Sequence, residues 1–352
     1  MVSFVFRRLG HGLLILAGVA CTVFFLFQVL PGDPVALLAG QRSDPATRAA
    51  IAADLGLNET LPAQLGGYLN DISPVGLHPR DSAGVAKYGG LTLVPLGGKA
   101  VVLKKPYLRR SFQINKAVLS ILLDHFAGTL WLALAAMVVA AVLGITGGVA
   151  AALRPHSWLD RTLITTSVLG ISVPSFVAGI LIAITFGFYW SHWTGLSLTG
   201  QLYETDPFSG ERHLVLRNLL LPAVALGIRP LAVITQLTRS SMLDVLSQDY
   251  IRTARAKGVS GYRTVVGHAL KNALNPVVTA VSGWLASLMA GAFFIEYIFN
   301  WKGLGTVTLR AVENLDFPLV MGATIFIAAL FVLVNIAVDI LYAVLDPRVR
   351  LN

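Results

Sequence analysis

Charged residues are scarce in this chain: Asp, Glu, Lys and Arg make up 13% of its 352 residues, whereas hydrophobic residues make up 55%. A soluble globular domain carries about 25% charged residues. An excess of apolar sequence on this scale is typical of a protein whose solvent is the lipid bilayer. The formal net charge of +9 also fits a nucleic-acid-binding protein, so the positions of the basic residues must separate the two classes.

Cysteine is nearly absent, with one residue in the chain, and nucleotide-binding motifs are lacking. The single cysteine, Cys21, excludes a disulfide framework and a cysteine-based metal site. The only Gly-Gly-Lys sequence, Gly97–Lys99, lacks the upstream Gly and the following Ser or Thr of a Walker A motif. None of the seven histidines forms an H-E-x-x-H motif. We therefore expect no metal, no cofactor, no bound ATP and no enzymatic activity in this chain itself.

Apolar runs long enough to cross a bilayer occur six times, since about 20 apolar residues span the hydrocarbon core as a helix. They are Leu9–Leu30, Ala127–Leu153, Leu163–Trp190, Leu219–Leu237, Ala273–Phe294 and Leu319–Leu345. The first is too long for a signal-peptide core and no A-x-A cleavage site follows it, so we expect it to remain as a helix. The predicted fold is an all-α membrane protein with six transmembrane helices.

Basic residues near the ends of these runs predict the orientation of the chain. The side with both termini and the loops 154–162 and 238–272 carries twelve Lys and Arg residues: Arg7, Arg8, Arg154, Arg161, Arg239, Arg252, Arg255, Lys257, Arg263, Lys271, Arg348 and Arg350. The two short loops opposite carry only Arg212, Arg217, Lys302 and Arg310. Both termini are therefore predicted to be cytoplasmic, and the charge is explained by topology and membrane lipid without nucleic acid.

The chain is thus predicted to have three parts: a first transmembrane helix (1–30), an external loop or subdomain (31–120), and a five-helix transmembrane core (121–352). Residues 41–70 of the external part favour helix, with Asp44-Pro45 as the N-cap and first helical residue. The stretch LTLVPLGGKAVVLKK, Leu91–Lys105, indicates β-strands around a Gly-Gly turn. We expect a small α+β external insertion between helices 1 and 2.

The cytoplasmic loop 238–272 contains most of a distinctive polar stretch, DYIRTARAKGVSGYRTVVGHALKNALNP. Helix-favouring residues run from Asp249 to Lys257, Gly258 interrupts them, and a second helical stretch continues to Asn275. This order predicts a short helix, a glycine-permitted turn and a helix that leads into the membrane. Such a rigid element suits transmission of force from a partner protein. A basic segment held by anionic lipid is the alternative.

Five short motifs occur in a fixed order along the chain. They are PGDP (Pro31–Pro34), DYIRTARAKG (Asp249–Gly258), HALKNALNP (His268–Pro276), FNWKGLG (Phe299–Gly305) and LDPRVR (Leu345–Arg350). Their order and their sides of the membrane resemble the permease subunits of the dipeptide, oligopeptide and nickel family of ABC importers. The resemblance covers nearly the whole chain except residues 70–105.

The resemblance implies a permease subunit of an ATP-driven ABC importer in a bacterial inner membrane. Its implied partners are a second homologous permease subunit, cytoplasmic ATP-binding subunits and an external substrate-binding protein. Short peptides are the implied substrate, while nickel chelates, other small solutes and an exporting role stay open. An ion-coupled secondary transporter is the alternative, but it needs intramembrane acids and preferably internal repeats. Asp339 alone could serve as such an acid.

The resemblance also implies a site of coupling to the ATPase. In ABC importers the corresponding loop contains the EAA segment, whose coupling helix docks on the ATPase. Aligning on Gly258 places Arg252-Thr253-Ala254 at the Glu-Ala-Ala positions, so the glutamate is absent here. The predicted ATPase-coupling residues are Arg252, Thr253, Ala254, Arg255, Ala256, Lys257 and Gly258.

Two further sites are predicted within or beside the apolar runs. Arg229 lies near the middle of the fourth run, where a charge is costly in hydrocarbon. It either lines the translocation path and attracts a substrate carboxylate, or bonds a backbone carbonyl freed by Pro230. Glu296, Trp301 and Lys302 follow the fifth run, and the resemblance implies that they belong to the external gate. Trp301 also fits an aromatic belt at the membrane surface.

Small residues at helix-packing spacing form two sets of candidates for close helix contact. One is Gly144 with Gly148, and the other is Gly283 with Ser287 and Gly291. Packing within this bundle and contact with a second permease subunit are both compatible with the pattern.

Overall fold

The computed structural model describes residues 2–29, 58–79, 88–206 and 208–345, together with residues 49 and 52. The predicted helix start at Asp44-Pro45 and the PGDP motif lie outside the described residues. So do all residues of the LDPRVR motif beyond Leu345.

Most of the described chain is helical. The α-helices are α1 (Val2–Val29), α2 (Leu61–Ile72), α3 (Val118–Leu153), α4 (Trp158–Ser172), α5 (Ser175–Ile182), α6 (Ser191–Thr194), α7 (Arg217–Leu246), α8 (Asp249–Ala256), α9 (Gly261–Arg263), α10 (Lys271–Ala273), α11 (Asn275–Gly291), α12 (Phe293–Ile298), α13 (Leu304–Glu313) and α14 (Phe317–Leu345). Two π-helical segments are π1 (Ala183–Tyr189) and π2 (Thr264–Leu270). The strands are β1 (Val75–Pro79), β2 (Leu91–Leu96), β3 (Lys99–Leu103), β4 (Tyr203–Thr205) and β5 (Arg212–Leu214).

Four helical segments of the described chain are long and apolar enough to cross a membrane. They are Phe6–Phe27, Val118–Leu153, Arg217–Leu246 and Phe317–Ile340. Helix α4 and the following segment Ser175–Tyr189 add a fifth if the bent pair is one span. Helix α11 covers most of the remaining predicted run with 17 residues. The prediction of a mostly helical membrane protein is confirmed with four or five candidate spans, and the count of six stays a prediction.

The third predicted span, Leu163–Trp190, is broken in the middle. The two halves bend by 110° relative to each other, so the prediction of one continuous helix was wrong here. Pro174 accounts for the break, because it has no amide hydrogen and its ring disfavours helical geometry at the preceding residue. Val173 accordingly has an extended conformation with ψ 128°.

The chain divides into two compact units. One consists of Phe6–Asp124 and Arg310–Ala329. It contains a three-stranded antiparallel sheet in the order β1-β3-β2. The hairpin between β2 and β3 turns at Gly97, whose φ of 62° suits glycine, so the predicted strands are confirmed. Strand β1, which the sequence pattern did not indicate, pairs with the other side of β3.

The same unit has a small core and a buried acidic anchor. Phe24 of α1 packs against Tyr68 of α2, with ring centroids 5.7 Å apart. The buried Asp316 accepts hydrogen bonds from the Phe112 and Gln113 amides at 3.1 and 3.4 Å. The described part of the predicted insertion is therefore an ordered structure with both helix and sheet.

The other unit consists of Met1–Val5, His125–Leu309 and Leu330–Asn352. Its main core cluster centres on α7. A Cβ atom added at Gly148 would lie 2.5 Å from the Thr238 Cβ, and one added at Gly144 would lie 2.8 Å from Ile234. The first small-residue set therefore serves packing of α3 on α7 within this chain.

Candidate functional site

The loop between α7 and α11 folds as the sequence predicts. Helix α8 ends at Ala256, and Gly258 follows in the left-handed conformation with φ 77°. The Gly258 amide donates to the Arg255 carbonyl at 3.0 Å, and the Val259 amide donates to the Ala254 carbonyl at 3.2 Å. These bonds close the helix end, and the chain then turns into α9, π2 and α10. The predicted helix, turn and second helical stretch are confirmed.

Helix α8 is held against the body of its unit by the buried side chain of Ile251 and by a hydrogen bond from the Asn272 side-chain amide to the Tyr250 hydroxyl at 2.9 Å. Ile251 is fully buried and packs in a cluster with Met242 of α7 and Ala152 of α3. Ala269 of π2 and Ala273 of α10 complete the buried part of this cluster. Helix α8 therefore packs directly against the C-terminal ends of α7 and α3.

The opposite side of α8 is exposed among the described residues and is basic. Six of the seven predicted coupling residues are exposed: Arg252, Thr253, Arg255, Ala256, Lys257 and Gly258. Ala254 is half-buried. Arg252 makes one ion pair with Asp249, at 3.3 Å between highly exposed side chains, and such pairs contribute little energy. The structure thus brings the predicted residues together on one accessible, positively charged surface.

Glu296, on α12, is a buried acid with three hydrogen-bond donors. Its side chain is fully buried, and Oε1 accepts from the Thr129 hydroxyl at 2.6 Å. Oε2 accepts from the Gly305 and Thr306 amides at 2.6 and 3.1 Å. These amides belong to the first turn of α13, where backbone N–H groups have no partner within the helix and the dipole favours a negative charge. Burial raises the pKa of the Glu296 carboxyl, and the three hydrogen bonds oppose that rise.

Trp301 joins the same network from the loop before α13. Its side chain is 1% exposed, and Nε1 donates to the Gly128 carbonyl at 2.9 Å. Its backbone amide donates to the Glu296 carbonyl at 2.7 Å. The interpretation as a belt residue at the membrane surface was therefore wrong, since a belt residue exposes its ring. Lys302 is half-buried, and its carbonyl lies directly against Gly128.

Sequence reasoning missed the residues that shape this network. A Cβ atom added at Gly303 would lie 2.3 Å from the Glu296 carboxyl carbon, and one at Gly305 would lie 2.4 Å from the Phe293 Cα. The Thr129 hydroxyl also accepts from the Leu304 amide at 2.8 Å. The two glycines of FNWKGLG were a visible signal of close approach, whereas nothing local marked Thr129. We refer to Thr129, Glu296, Trp301 and the first turn of α13 as the Glu296 hub.

Arg229 lies exposed on α7, and the adjacent Pro230 is buried. In the described part of the chain no acceptor lies within hydrogen-bonding distance of the guanidinium. The alternative in which Arg229 bonds a carbonyl freed by Pro230 therefore finds no support in the geometry. The guanidinium is thus exposed and without an acceptor among the residues that the structure describes.

Comparison with known proteins decides the family. Residues 144–351 match the family model of the binding-protein-dependent transport system inner membrane component. Residues 1–85 match the model of the N-terminal part of the same membrane components. The chain belongs to this family.

Individual relatives align with the permease from end to end. The di/tripeptide transport system permease protein DppB of Pseudomonas aeruginosa is 36% identical over 365 residues, which cover 99% of each chain. The dipeptide transport system permease protein DppB of Escherichia coli K12 is 34% identical over 370 residues, again with 99% of each chain. The resemblance to ABC importer permeases is thereby confirmed, and the permease is a transport component of a bacterial inner membrane and not an enzyme.

The family match includes all the predicted site residues of the permease. Arg229, the segment Arg252–Gly258 and Glu296 to Lys302 lie within residues 144–351. The N-terminal match reaches residue 85, inside the stretch 70–105 for which the motifs gave no counterpart. The first part of that stretch is therefore a feature of the family.

Proposed function

We propose that the permease is one of two homologous membrane subunits that enclose the path of short peptides through an ATP-driven importer. The observation that carries the proposal is the end-to-end similarity to two permeases named for di- and tripeptide transport. In the proposed complex, an external binding protein delivers the peptide and cytoplasmic ATP-binding subunits supply the energy. Six membrane spans with both termini in the cytoplasm complete the proposal.

The exposed face of α8 is the proposed docking surface for an ATP-binding subunit. A helix that transmits force must be accessible on one side and fixed on the other. Helix α8 meets both conditions, because its basic side chains are exposed and Ile251 is buried against α7 and α3. Movement of a docked subunit would therefore be passed to the two helices on which α8 rests.

The Glu296 hub is the proposed fixed part of the external gate. It links α3 through Thr129, α12 through Glu296 itself and α13 through the Gly305 and Thr306 amides. Three elements that share one buried carboxylate must move together, because separating any of them leaves buried polar groups without partners. Glu296, Trp301 and Lys302 act here through the position of the gate, without contacting the peptide.

Arg229 is the proposed group of the translocation path that attracts the peptide's terminal carboxylate. A guanidinium offers paired donors that match a carboxylate, and this one has no acceptor among the described residues. A charged side chain on a spanning helix is retained where it meets water or a charged solute. A path that carries zwitterionic peptides would offer this side chain both water and a charged solute.

Reconstitution of the complete complex in vesicles tests the function. We expect uptake of a labelled dipeptide that requires ATP, the external binding protein and the second permease. A nickel chelate in excess should leave this uptake unchanged. Robust peptide uptake by the lone permease in an ion gradient, or preferential uptake of the chelate, would contradict the proposal.

Cysteine labelling tests the topology. A Ser82→Cys variant in a Cys21→Ser background should react with an impermeant maleimide added to intact spheroplasts. Labelling of the introduced thiol only after permeabilisation would overturn the six-span arrangement with residues 31–120 outside.

A further inference from the structure

An ion pair between a buried aspartate and a partly exposed arginine joins α4 to α7 in the permease. Asp160, in the first turn of α4, is 3% exposed. Its two carboxylate oxygens accept from Nε and Nη2 of Arg239 at 2.5 and 2.7 Å, which is a two-point contact with fixed geometry. The His156 amide donates to Oδ2 at 2.9 Å. The carboxylate therefore also orders the short turn between α3 and α4, in which His156 has a φ of 63°.

The ion pair lies between two other contacts of the same part of α7. Thr235, one turn before Arg239, and Thr238, directly before it, pack against Gly148 of α3. One turn after it, Met242 is fully buried in the cluster that holds Ile251 of α8. Residues 235–242 of α7 thus contact α3, α4 and α8 in succession.

Helix α4 leads from this point toward the Glu296 hub. It ends at the Pro174 break, and α5 follows with Gly179 packed against α12. A Cβ atom added at Gly179 would lie 2.7 Å from Cδ1 of Ile295, the neighbour of Glu296 in sequence. A continuous series of contacts therefore runs from α8 through the ion pair and α4 to α12.

Asp160 is the buried partner of the pair, whereas the Arg239 side chain keeps 24% of its surface exposed. Removing the carboxylate from water costs free energy that its attraction to the guanidinium must first offset. What the pair adds is a defined geometry that apolar contacts lack, because the carboxylate can meet the guanidinium fork in only a few arrangements. The defined geometry is thus what this contact adds to the apolar packing around it.

We propose that Asp160 and Arg239 are positioning residues that fix the start of α4 to α7, so that displacement of α8 moves α4 together with α7. The inference rests on the proposed function, since it assigns to the pair a part in passing ATPase movement to the external gate. Neither residue contacts the peptide or an ATP-binding subunit.

The test compares single and double neutral variants in the full complex in nanodiscs and vesicles. Asp160→Asn and Arg239→Gln each leave one charge without its partner, so both should assemble less well. The double variant D160N/R239Q removes both charges and should assemble to the level of the unchanged complex. Its peptide uptake per ATP hydrolysed should nevertheless fall several-fold. Glu211→Gln, which removes an exposed acid outside the contacts described here, should change neither assembly nor this ratio.

A second measurement follows the position of α4 directly and needs no transport. Spin labels at Thr162→Cys and Ser260→Cys, both exposed positions, report the distance between α4 and the segment after α8 in a Cys21→Ser background. We expect one narrow distance distribution in the parent complex and a broader one in D160N/R239Q.

The outcomes separate this inference from the proposed function. A double variant with normal uptake per ATP and an unchanged distance distribution would overturn the positioning role, because the pair would then only neutralise buried charge. A parent complex that imports no peptide would contradict the proposed function. The spin-label distances would still decide whether the pair positions α4.

Discussion

The two segments that flank α11 place their charged groups in opposite environments. On the C-terminal side, Glu296 is fully buried and receives three hydrogen bonds from its own chain. On the N-terminal side, Arg252, Arg255 and Lys257 are exposed, and the one ion pair described there joins highly exposed side chains. A charge satisfied within the chain fixes internal structure, whereas a charge left to solvent is available to another molecule. This difference supports the proposed gate in the segment after α11 and the proposed docking surface in the segment before it.

The largest expected effect is the loss of stability on substitution of the buried Glu296. Glu296→Ala removes the acceptor of the Gly305 and Thr306 amides and of the Thr129 hydroxyl, and it leaves a cavity. Buried donors without acceptors cost about 1–3 kcal/mol each, so we expect a loss of at least about 3 kcal/mol. Thermal unfolding of the purified permease in detergent measures it.

Two further variants serve as controls for the stability loss of Glu296→Ala. Glu296→Gln keeps one acceptor oxygen and the side-chain volume, so its loss should be clearly smaller than that of Glu296→Ala. Glu211→Ala removes an exposed acid, and surface changes of this kind stay within about 0.5 kcal/mol. Equal stability of Glu296→Ala and Glu211→Ala would show that the hub does not hold α3, α12 and α13 together.

The next largest effect concerns the turn that ends α8. Gly258 has a φ of 77° and an added Cβ would meet no neighbour, so Gly258→Ala acts through backbone strain of about 1–2 kcal/mol. The strain should tilt or fray the end of α8 without disturbing the core. We expect peptide-stimulated ATP hydrolysis and peptide uptake to fall together while the complex still assembles.

Gly261→Ala is the matched control for this turn. Gly261 also has open space around it, but it begins α9 and lacks a positive φ. Its substitution should leave both activities unchanged. Full stimulated hydrolysis in Gly258→Ala would remove α8 from the coupling mechanism.

A smaller and more selective effect is expected at Arg229, which is exposed and is the proposed partner of the peptide carboxylate. Arg229→Ala should leave assembly intact and reduce uptake of a dipeptide with a free C-terminal carboxylate. Uptake of the same peptide with an amidated C-terminus should change little, because it offers no negative charge. Arg229→Lys keeps the charge without the paired donors and should be intermediate. Equal losses for both peptides would show that Arg229 does not recognise the carboxylate.

The smallest effect is expected for single charges on the α8 surface. Arg252→Ala should weaken binding of the ATP-binding subunits a few-fold at low salt, and the difference should shrink as salt screens the exposed charge. Arg212→Ala, which removes an exposed arginine from strand β5, should have no effect on this binding. Co-purification across a salt series measures both, and a salt-independent loss at Arg252 would indicate damage to the fold of α8.

Features set by neighbouring residues could be predicted from the sequence. The end of α8 at Gly258 and the β2–β3 turn at Gly97 both follow from the conformational freedom of glycine between segments of clear propensity. The apolar runs predicted most of the long helices. Pro174 was also a local signal of a helix break. We did not predict the break, because the residues on both sides of Pro174 form one continuous apolar run.

Contacts between distant parts of the chain could not be predicted in this way. Thr129 and Glu296 are 167 residues apart, and Asp160 and Arg239 are 79 residues apart. No local pattern specifies which threonine will supply a hydroxyl to a buried glutamate, or which arginine will meet an aspartate. The sequence placed Glu296 and Trp301 near a gate by resemblance alone, and only the packing of α3 against α12 and α13 shows why both are buried.

The long separation within the Glu296 hub has a consequence for how the permease is made. Thr129 leaves the ribosome 167 residues before Glu296, and the amides that complete the carboxylate's shell follow later still. Helix α3 is therefore synthesised before Glu296, the acceptor of its Thr129 hydroxyl, exists. A chain interrupted before Thr306 lacks an amide that donates to the Glu296 carboxylate, so the hub is complete only after synthesis has passed that residue.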